Sequence, residues 1–294
     1  MNIVLKVILR LLITILLILA IAVGCAWGIA YAKYKVNIFS IMSSVNELSK
    51  TVDTTIIAPK QITDEDTNSA VQVANASVVG LFTQDENGDY QLNDTVTLPI
   101  MLQDMTFTDK QVCAIMNIFL RDNDLSITLG SETISLKDYD FELLQVAFSD
   151  LDTTANTVKF NIVASLSLEQ LTTKMNSFPL SMLKSRMPEK IYISSTVIVT
   201  KNSSAFSYTV ASSSLILNTL EQNKVDEIFT LLNALLNTGT SNDVNKIIGE
   251  NFVNGLIGNE QNKGFAYTLK DIGASDFEFV NKDDEIKFVI KNSL

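Results

Sequence analysis

The chain has 294 residues, which at about 150 per domain allows two globular units or one unit plus something else. Hydrophobic residues make up 47% and charged residues 19%, with aromatics at 8% and only 4 prolines, which excludes a disordered tail and a collagen-like fibre. Histidine is absent, so the commonest general base and the commonest zinc ligand are both missing.

From Leu11 to Ala32 the chain runs 22 residues without a charge. At about 1.5 Å per helical residue this covers the roughly 30 Å hydrocarbon core, and the segment reads as a transmembrane helix. Lys6 and Arg10 precede it and Lys33 and Lys35 follow it, so flanking charge does not decide the orientation. The stub before it is too short to be the exported part. The N-terminus is therefore read as cytoplasmic and the bulk as extracytoplasmic, in a single-pass protein of the cell membrane. Three fates stay open: an uncleaved signal anchor, cleavage after Ala30-Tyr31-Ala32, and lipidation at Cys25 behind Ala22-Val23-Gly24. The expected division is a stub and anchor over 1–35, a juxtamembrane helix and linker over 36–68, and an extracytoplasmic domain over 69–294.

Beyond the anchor, 18 Lys+Arg face 33 Asp+Glu, a net charge of −15. Such a surface argues against nucleic acid as a partner and against direct docking on anionic lipid headgroups. Arg121 and Arg186 are the only arginines there, so bidentate phosphate clamps are scarce. With Cys25 in the membrane run, Cys113 has no disulfide partner in its domain. A lysine-rich, asparagine-rich, cysteine-poor exported chain suits a Gram-positive bacterium.

Ile38, Ile41, Met42, Val45, Leu48 and Val52 recur at helical spacing, which predicts a helix continuing past the membrane. Pro59 and the polar run from Gln61 to Ser69 read as a linker. Asp85-Glu86-Asn87-Gly88-Asp89 fails the calcium-loop pattern at Tyr90 and Val96, and reads as the turn between strands at Val78 to Phe82 and Tyr90 to Leu98. Thr108 followed by Gln111 forms a capping box that opens an apolar helix through Leu120, expected to pack into the concave face of a sheet. Leu125 to Leu136 reads as a hairpin around Gly130-Ser131. Tyr139, Phe141 and Leu143 alternate, then the phase slips to Val146 and Phe148, as a β-bulge would make it do. Val158 to Leu166 is the partner strand.

Two short helical stretches fill Leu168 to Met187. After Pro188, Ile191 to Val199 and Phe206 to Val210 form two further strands. The C-terminal part predicts a helical hairpin at about 221–258 and a last β-hairpin turned at Asn281 to Asp284. The fold class expected is α+β: a transmembrane helix, then a curved antiparallel sheet packed on helices, then a helical hairpin.

No motif carries chemistry. Ser181-Met182-Leu183-Lys184 matches S-x-x-K, but no K-T-G strand accompanies it. Cys113 lies on the apolar side of its helix and reads as a buried structural thiol. Asp64-Glu65-Asp66 and Asp283-Asp284-Glu285 read as solvated clusters. No catalytic, cofactor-binding or metal-ligating residues are assigned, no cofactor is expected, and the protein is read as a non-enzyme; any catalysis would have to rest on carboxylates such as Asp150 and Asp152.

FTDKQVCAIMNIFL from Phe107, and the run from FNIVASL at Phe160 to MPEKIYISS at Met187, resemble the YpmS-type exported proteins of Gram-positive bacteria, a family with one N-terminal membrane helix. The resemblance covers at most half of the exported chain, leaves the hairpin from Asn223 to Gly258 as an addition, and supplies no site residues. It implies a fold like the tubular lipid-binding domains, in which a long curved sheet wraps a helix and leaves an apolar groove. The first functional expectation is thus a membrane-anchored envelope protein holding a lipid or other amphiphile in that groove. Ile115, Met116, Phe119, Phe148, Phe160, Met175 and Met182 are its candidate lining residues. The alternative is a scaffold or accessory subunit of an envelope protein complex with no small-molecule ligand.

Overall fold

The computed structural model describes residues 46–93, 100–122, 126–129, 132–135, 140–169, 188–236 and 240–293. Within them the protein is α+β, with curved antiparallel sheets and helices. No helix among the described residues is long and apolar enough to cross a membrane, and the run from Leu11 to Ala32 lies outside them.

The principal sheet is a four-stranded meander of β6 (Glu142–Asp152), β7 (Thr157–Ser167), β8 (Lys190–Lys201) and β9 (Tyr208–Leu217), paired in chain order. The phase slip predicted in β6 is a bulge between Leu143 and Gln145. It lets Leu143, Val146 and Phe148 share one face although their spacing is not strictly even. Opposite them stand Ala164, Ile162 and Phe160 of β7, which in turn pair with Ile193, Ser195 and Val197 of β8. A second bulge, between Thr196 and Val197, shifts β9 so that Leu215 and Leu217 keep facing inward. Bulged strands bend and twist more strongly, which makes the inner face concave.

The outer face is polar near its centre. The Gln145 amide donates to Asn161 Oδ1 at 2.9 Å, and Asn161 Nδ2 donates to Thr196 Oγ1 at 3.2 Å, a ladder across three strands. The Ser165 hydroxyl on this face is buried without a hydrogen-bond partner.

A second sheet covers the distal half of the inner face, in the order β10 (Ala274–Lys282), β11 (Glu285–Asn292), β3 (Met105–Phe107). The hairpin joining β10 and β11 pairs Lys282 with Glu285, leaving Asp283 and Asp284 as a two-residue turn with φ of 57° and 61°. This is the type I′ geometry that short acidic residues tolerate and that suits strand twist. The pairing of β3 with β11 joins residues about 180 positions apart, such as Phe107 with Phe288. Rings interlock across the gap: Phe279 sits 5.5 Å from both Phe148 and Phe160, and Phe160 sits 6.1 Å from Phe252.

Helix α1 (Thr54–Ile57) is one turn; α2 (Asp64–Ser77) has 14 residues. This corrects the linker expected from Gln61 to Ser69. Thr63 and Asp66 form a reciprocal capping box, and Asp64, Glu65 and Asp66 in the first turn match the positive end of the helix dipole. Ala70, Val71, Ala74 and Val78 then bury a narrow stripe. The strand expected from Val78 begins only at Phe82, because Val78 is the C-cap of α2; β1 (Phe82–Gln84) and β2 (Tyr90–Leu92) form the Asn-Gly hairpin. Helix α3 (Asp109–Asp122) opens with the predicted capping box: the Gln111 amide N–H donates to Thr108 Oγ1, and the Thr108 N–H donates to Gln111 Oε1 at 2.9 Å. It docks on β6, with Asn117 Nδ2 donating to the Leu143 carbonyl at 2.7 Å and Asn117 Oδ1 accepting from the Leu143 N–H. Strands β4 (Ser126–Leu129) and β5 (Glu132–Ser135) make the separate hairpin expected there; its turn at Gly130-Ser131 lies outside the described residues.

Helices α4 (Gln222–Leu236) and α5 (Ser241–Leu256) follow β9. They were expected as an added hairpin. Both helices expected at about 221–258 are present and touch each other, but α5 is no peripheral addition: it lies in the concavity of the principal sheet, burying Val244, Asn245, Gly249, Phe252, Val253 and Leu256. Asn245 is fully buried yet satisfied: Ser195 Oγ donates to its Oδ1 at 2.6 Å, and its Nδ2 donates to the Thr196 carbonyl and to Ser212 Oγ, each at 2.9 Å. Such a network fixes the register of helix on sheet, since any sliding would strand buried polar atoms. The single turn α6 (Phe265–Thr268) carries Phe265, whose ring meets Phe82, Phe107 and Phe119.

The segment expected as a juxtamembrane helix is helical at Asn46 to Leu48 and turns at Ser49-Lys50, short of Val52. From there it runs as a strap against the folded body, with Leu48 at 1% and Ala58 at 0% exposure.

Candidate functional site

Among the described residues, two concavities border α3. The first is an apolar crevice of about 60 Å³ between α3, α5 and the inner face of the principal sheet. Met116 and Leu120 form one wall, Leu143, Ile162, Ala164 and Ile193 the floor, and Ile248 and Phe252 the other wall. Ser195 is already bonded to Asn245, and Asn251 Nδ2 donates to the Ile247 carbonyl at 2.7 Å, so the polar residues at its edge serve the fold.

Of the residues expected to line a groove, Met116 alone among the described ones borders this crevice. Ile115, Phe148 and Phe160 are core residues at 7% exposure or less. Phe119 is half-buried and meets Phe265 edge-on at 6.4 Å. Met175 and Met182 lie outside the described residues, as do the S-x-x-K match and the two short helices expected there. Among the described residues, the inner face is thus occupied by the protein's own side chains apart from this crevice. Ligand pockets run to about 300–1,000 Å³, and even benzene occupies an apolar cavity of about 150 Å³.

The second concavity is a polar cleft of about 1110 Å³ between the start of α2, the β1–β2 hairpin, α3 and residues 140–142. Asp64, Asp85, Asp89, Asp140 and Glu142 line it, with Arg121 as the cation. Arg121 lies 3.5 Å from Asp89 and donates to the Tyr90 carbonyl, which ties α3 to the hairpin. Asp85 Oδ1 accepts from the N–H groups of Asn87 and Asp89 at 2.9 and 2.8 Å, which holds the turn and keeps its carboxyl below the usual carboxylate range. Among the described residues no group of three or more Cys, Asp or Glu is placed to hold a metal ion. The cleft assembles residues from 64 to 142; the sequence showed Asp64 only within a solvated cluster and Asp85 to Asp89 only as a hairpin turn, and nothing in it singled out Asp140 and Glu142.

The carboxylates named for possible catalysis have structural work at the distal turn. Asp152 Oδ1 accepts from the N–H groups of Thr154 and Ala155, and Asp150 pairs with Lys159. Cys113 is fully buried, as its position on the helix implied, and donates to the Leu143 carbonyl at 3.4 Å. Burial pushes its thiol far above the ordinary range, and the nearby carboxylates push the same way. Because the thiolate is the reactive form, Cys113 should resist maleimide in the native protein and react at the rate of a free cysteine once urea unfolds it. Fast native labelling would contradict the packing of α3 on β6.

Charge also sets the pH profile. Asp66, Asp104 and Asp243 have lowered carboxyl pKa values: burial opposes the change at Asp66 but the Thr63 hydrogen bonds outweigh it, while N–H donors of Asn292 and Thr240 lead at the other two. A lowered folded pKa gives stability that is complete above the unfolded value near 3.8 and is lost as pH falls through the folded value. With no histidine to titrate, the melting temperature should be nearly flat from about pH 8 to pH 5 and fall below about pH 4. A scanning-calorimetry series across that range reads it directly.

No family model, no curated protein and no solved structure matches this chain. The likeness to YpmS-type proteins therefore rests on the residues quoted for it.

Proposed function

We propose that the chain is a membrane-anchored, extracytoplasmic, non-catalytic protein of the bacterial cell envelope, acting as a scaffold or accessory subunit of an envelope protein complex. The observation that carries this reading is the filling of the concave face: Phe148, Phe160, Phe252 and Phe279 occupy it, and about 60 Å³ is left beside Met116. That space is too small for an acyl chain. The wide concavity is instead polar and acidic, a surface suited to a macromolecular partner that presents basic groups. The anchor is the run from Leu11 to Ala32, and the acidity of everything beyond it keeps nucleic acid out of the account.

The test places a photo-reactive amino acid at Gln91, on the cleft rim, in the full-length protein in living cells. One discrete protein adduct is expected, and it should be lost when the exposed cleft carboxylates Asp140 and Glu142 are changed to Lys, since reversing rim charge weakens association with a basic partner. No adduct, or one indifferent to the charge reversal, would count against the reading. The amphiphile-binding alternative is favoured by one observation, the apolar lining of the crevice from Met116 to Phe252.

A further inference from the structure

We infer that the N-terminal strap fixes the orientation of the domain on its membrane, with the end of the principal sheet at Ser167, Lys190 and Asn218 turned toward the bilayer and the hairpin turns at 153–156 and 202–207 turned away. The inference rests on the membrane-anchored reading above and adds the face that the domain presents to the lipid surface.

Three contacts carry it. Asn218 Nδ2 donates to the Leu48 carbonyl at 2.7 Å, and this bond is buried. Lys224 Nζ bonds both carboxylate oxygens of Glu47 at 2.6 Å. Farther along the strap, the Lys60 N–H donates to Gln145 Oε1 at 2.7 Å on the outer face of β6. The strap is thus part of the folded body, and the chain enters that body at one end of the sheet. Asn218 marks that end, because its N–H donates to the Tyr192 carbonyl and its Oδ1 accepts from the Tyr192 N–H, beside the last pair of β7 and β8, Ser167 with Lys190.

Tether length does the rest. Only residues 33–45 separate Ala32 from Asn46. Whether a stretch of that length is helical, at about 1.5 Å per residue, or a flexible coil, at about 5–6 Å times the square root of its length, its mean reach is about 20 Å. Strand β7 has 11 residues, so at about 3.3 Å each the distal turns stand about 35 Å farther from the entry point. The net charge of −15 beyond the anchor gives anionic headgroups no means of pulling the domain onto its side.

The experiment uses the full-length chain in liposomes, in a Cys25→Ala background with Cys113 left buried. A fluorophore is attached at either of two exposed positions, Thr219→Cys at the entry end or Ser204→Cys at the distal end, and quenched by lipids carrying a quencher on the headgroup. Quenching is expected to be several-fold stronger at 219 than at 204, and changing both Asn218 and Lys224 to Ala should shrink that ratio toward one. Equal quenching at the two positions, or stronger quenching at 204, overturns the inference. Flotation of the vesicles beforehand separates the two levels: a chain that fails to float sinks the membrane-anchored reading and the orientation with it, whereas a floating chain with equal quenching sinks the orientation alone.

Discussion

Replacing Gly249 with Ala is expected to lower stability by about 2–3 kcal/mol, even though Ala gains about 1 kcal/mol over Gly in a helix interior. A Cβ at this position would lie 2.4 Å from Val197 Cγ1 and 3.0 Å from its Cβ. Real atoms do not approach so closely, so α5 would have to lift off β8. It cannot lift alone, because the Asn245 network on the same helix would lose its partners on β8 and β9. In a domain of this size the loss should appear as about 5–10 °C in melting temperature. Val197→Ala removes the opposing methyls, so the double variant should recover most of the loss, a coupling that a denaturant-unfolding cycle measures. Additive losses would mean that α5 does not sit as closely on the sheet as the contact requires.

The second large effect concerns Gly258 and Gly264, which meet backbone to backbone. Gly258 has φ +77°, and its Cβ would lie 2.0 Å from the Gly264 nitrogen; a Cβ on Gly264 would lie 2.1 Å from the Asn254 carbonyl oxygen. Unlike Val197, neither obstacle is a side chain that can rotate or be trimmed. Gly258→Ala adds the strain of a left-handed conformation, so each substitution should cost about 3 kcal/mol or more. No second substitution should rescue either variant. This contact seats Phe265, which links Phe82, Phe107 and Phe119, so near-ultraviolet dichroism should report loss of aromatic order along with the fall in stability.

Local features were legible where one residue or a short spacing decides the geometry. The phase slip after Leu143 marked the bulge, Thr108 with Gln111 marked the start of α3, and Phe277 and Phe288 fell in the last hairpin where alternation put them, whereas Phe206, expected to open a strand, sits in the turn before β9 with φ 51°. Helix α2 was hidden because its cap uses Asp66 and its buried stripe is mostly alanine and valine, so a polar, acidic first turn looked like a linker. A three-residue strand such as β3 carries no signal for a partner about 180 positions away. The filled concavity was illegible for a similar reason. The apolar residues expected to line a groove were identified, but whether they face a ligand or one another depends on where β10 and α5 dock, which alternation within one strand does not encode. The polar cleft is likewise a product of tertiary assembly.

A concave face filled by protein leaves no room for an amphiphile, and lipid labelling reads this directly. Cells expressing the full-length chain can be fed a photo-reactive, clickable fatty acid, irradiated, and the labelled residues mapped by mass spectrometry. Labels are expected within Leu11 to Ala32 and none on Met116, Leu120, Ile248 or Phe252. Labels on those four residues would contradict the filled face and restore the amphiphile-binding reading.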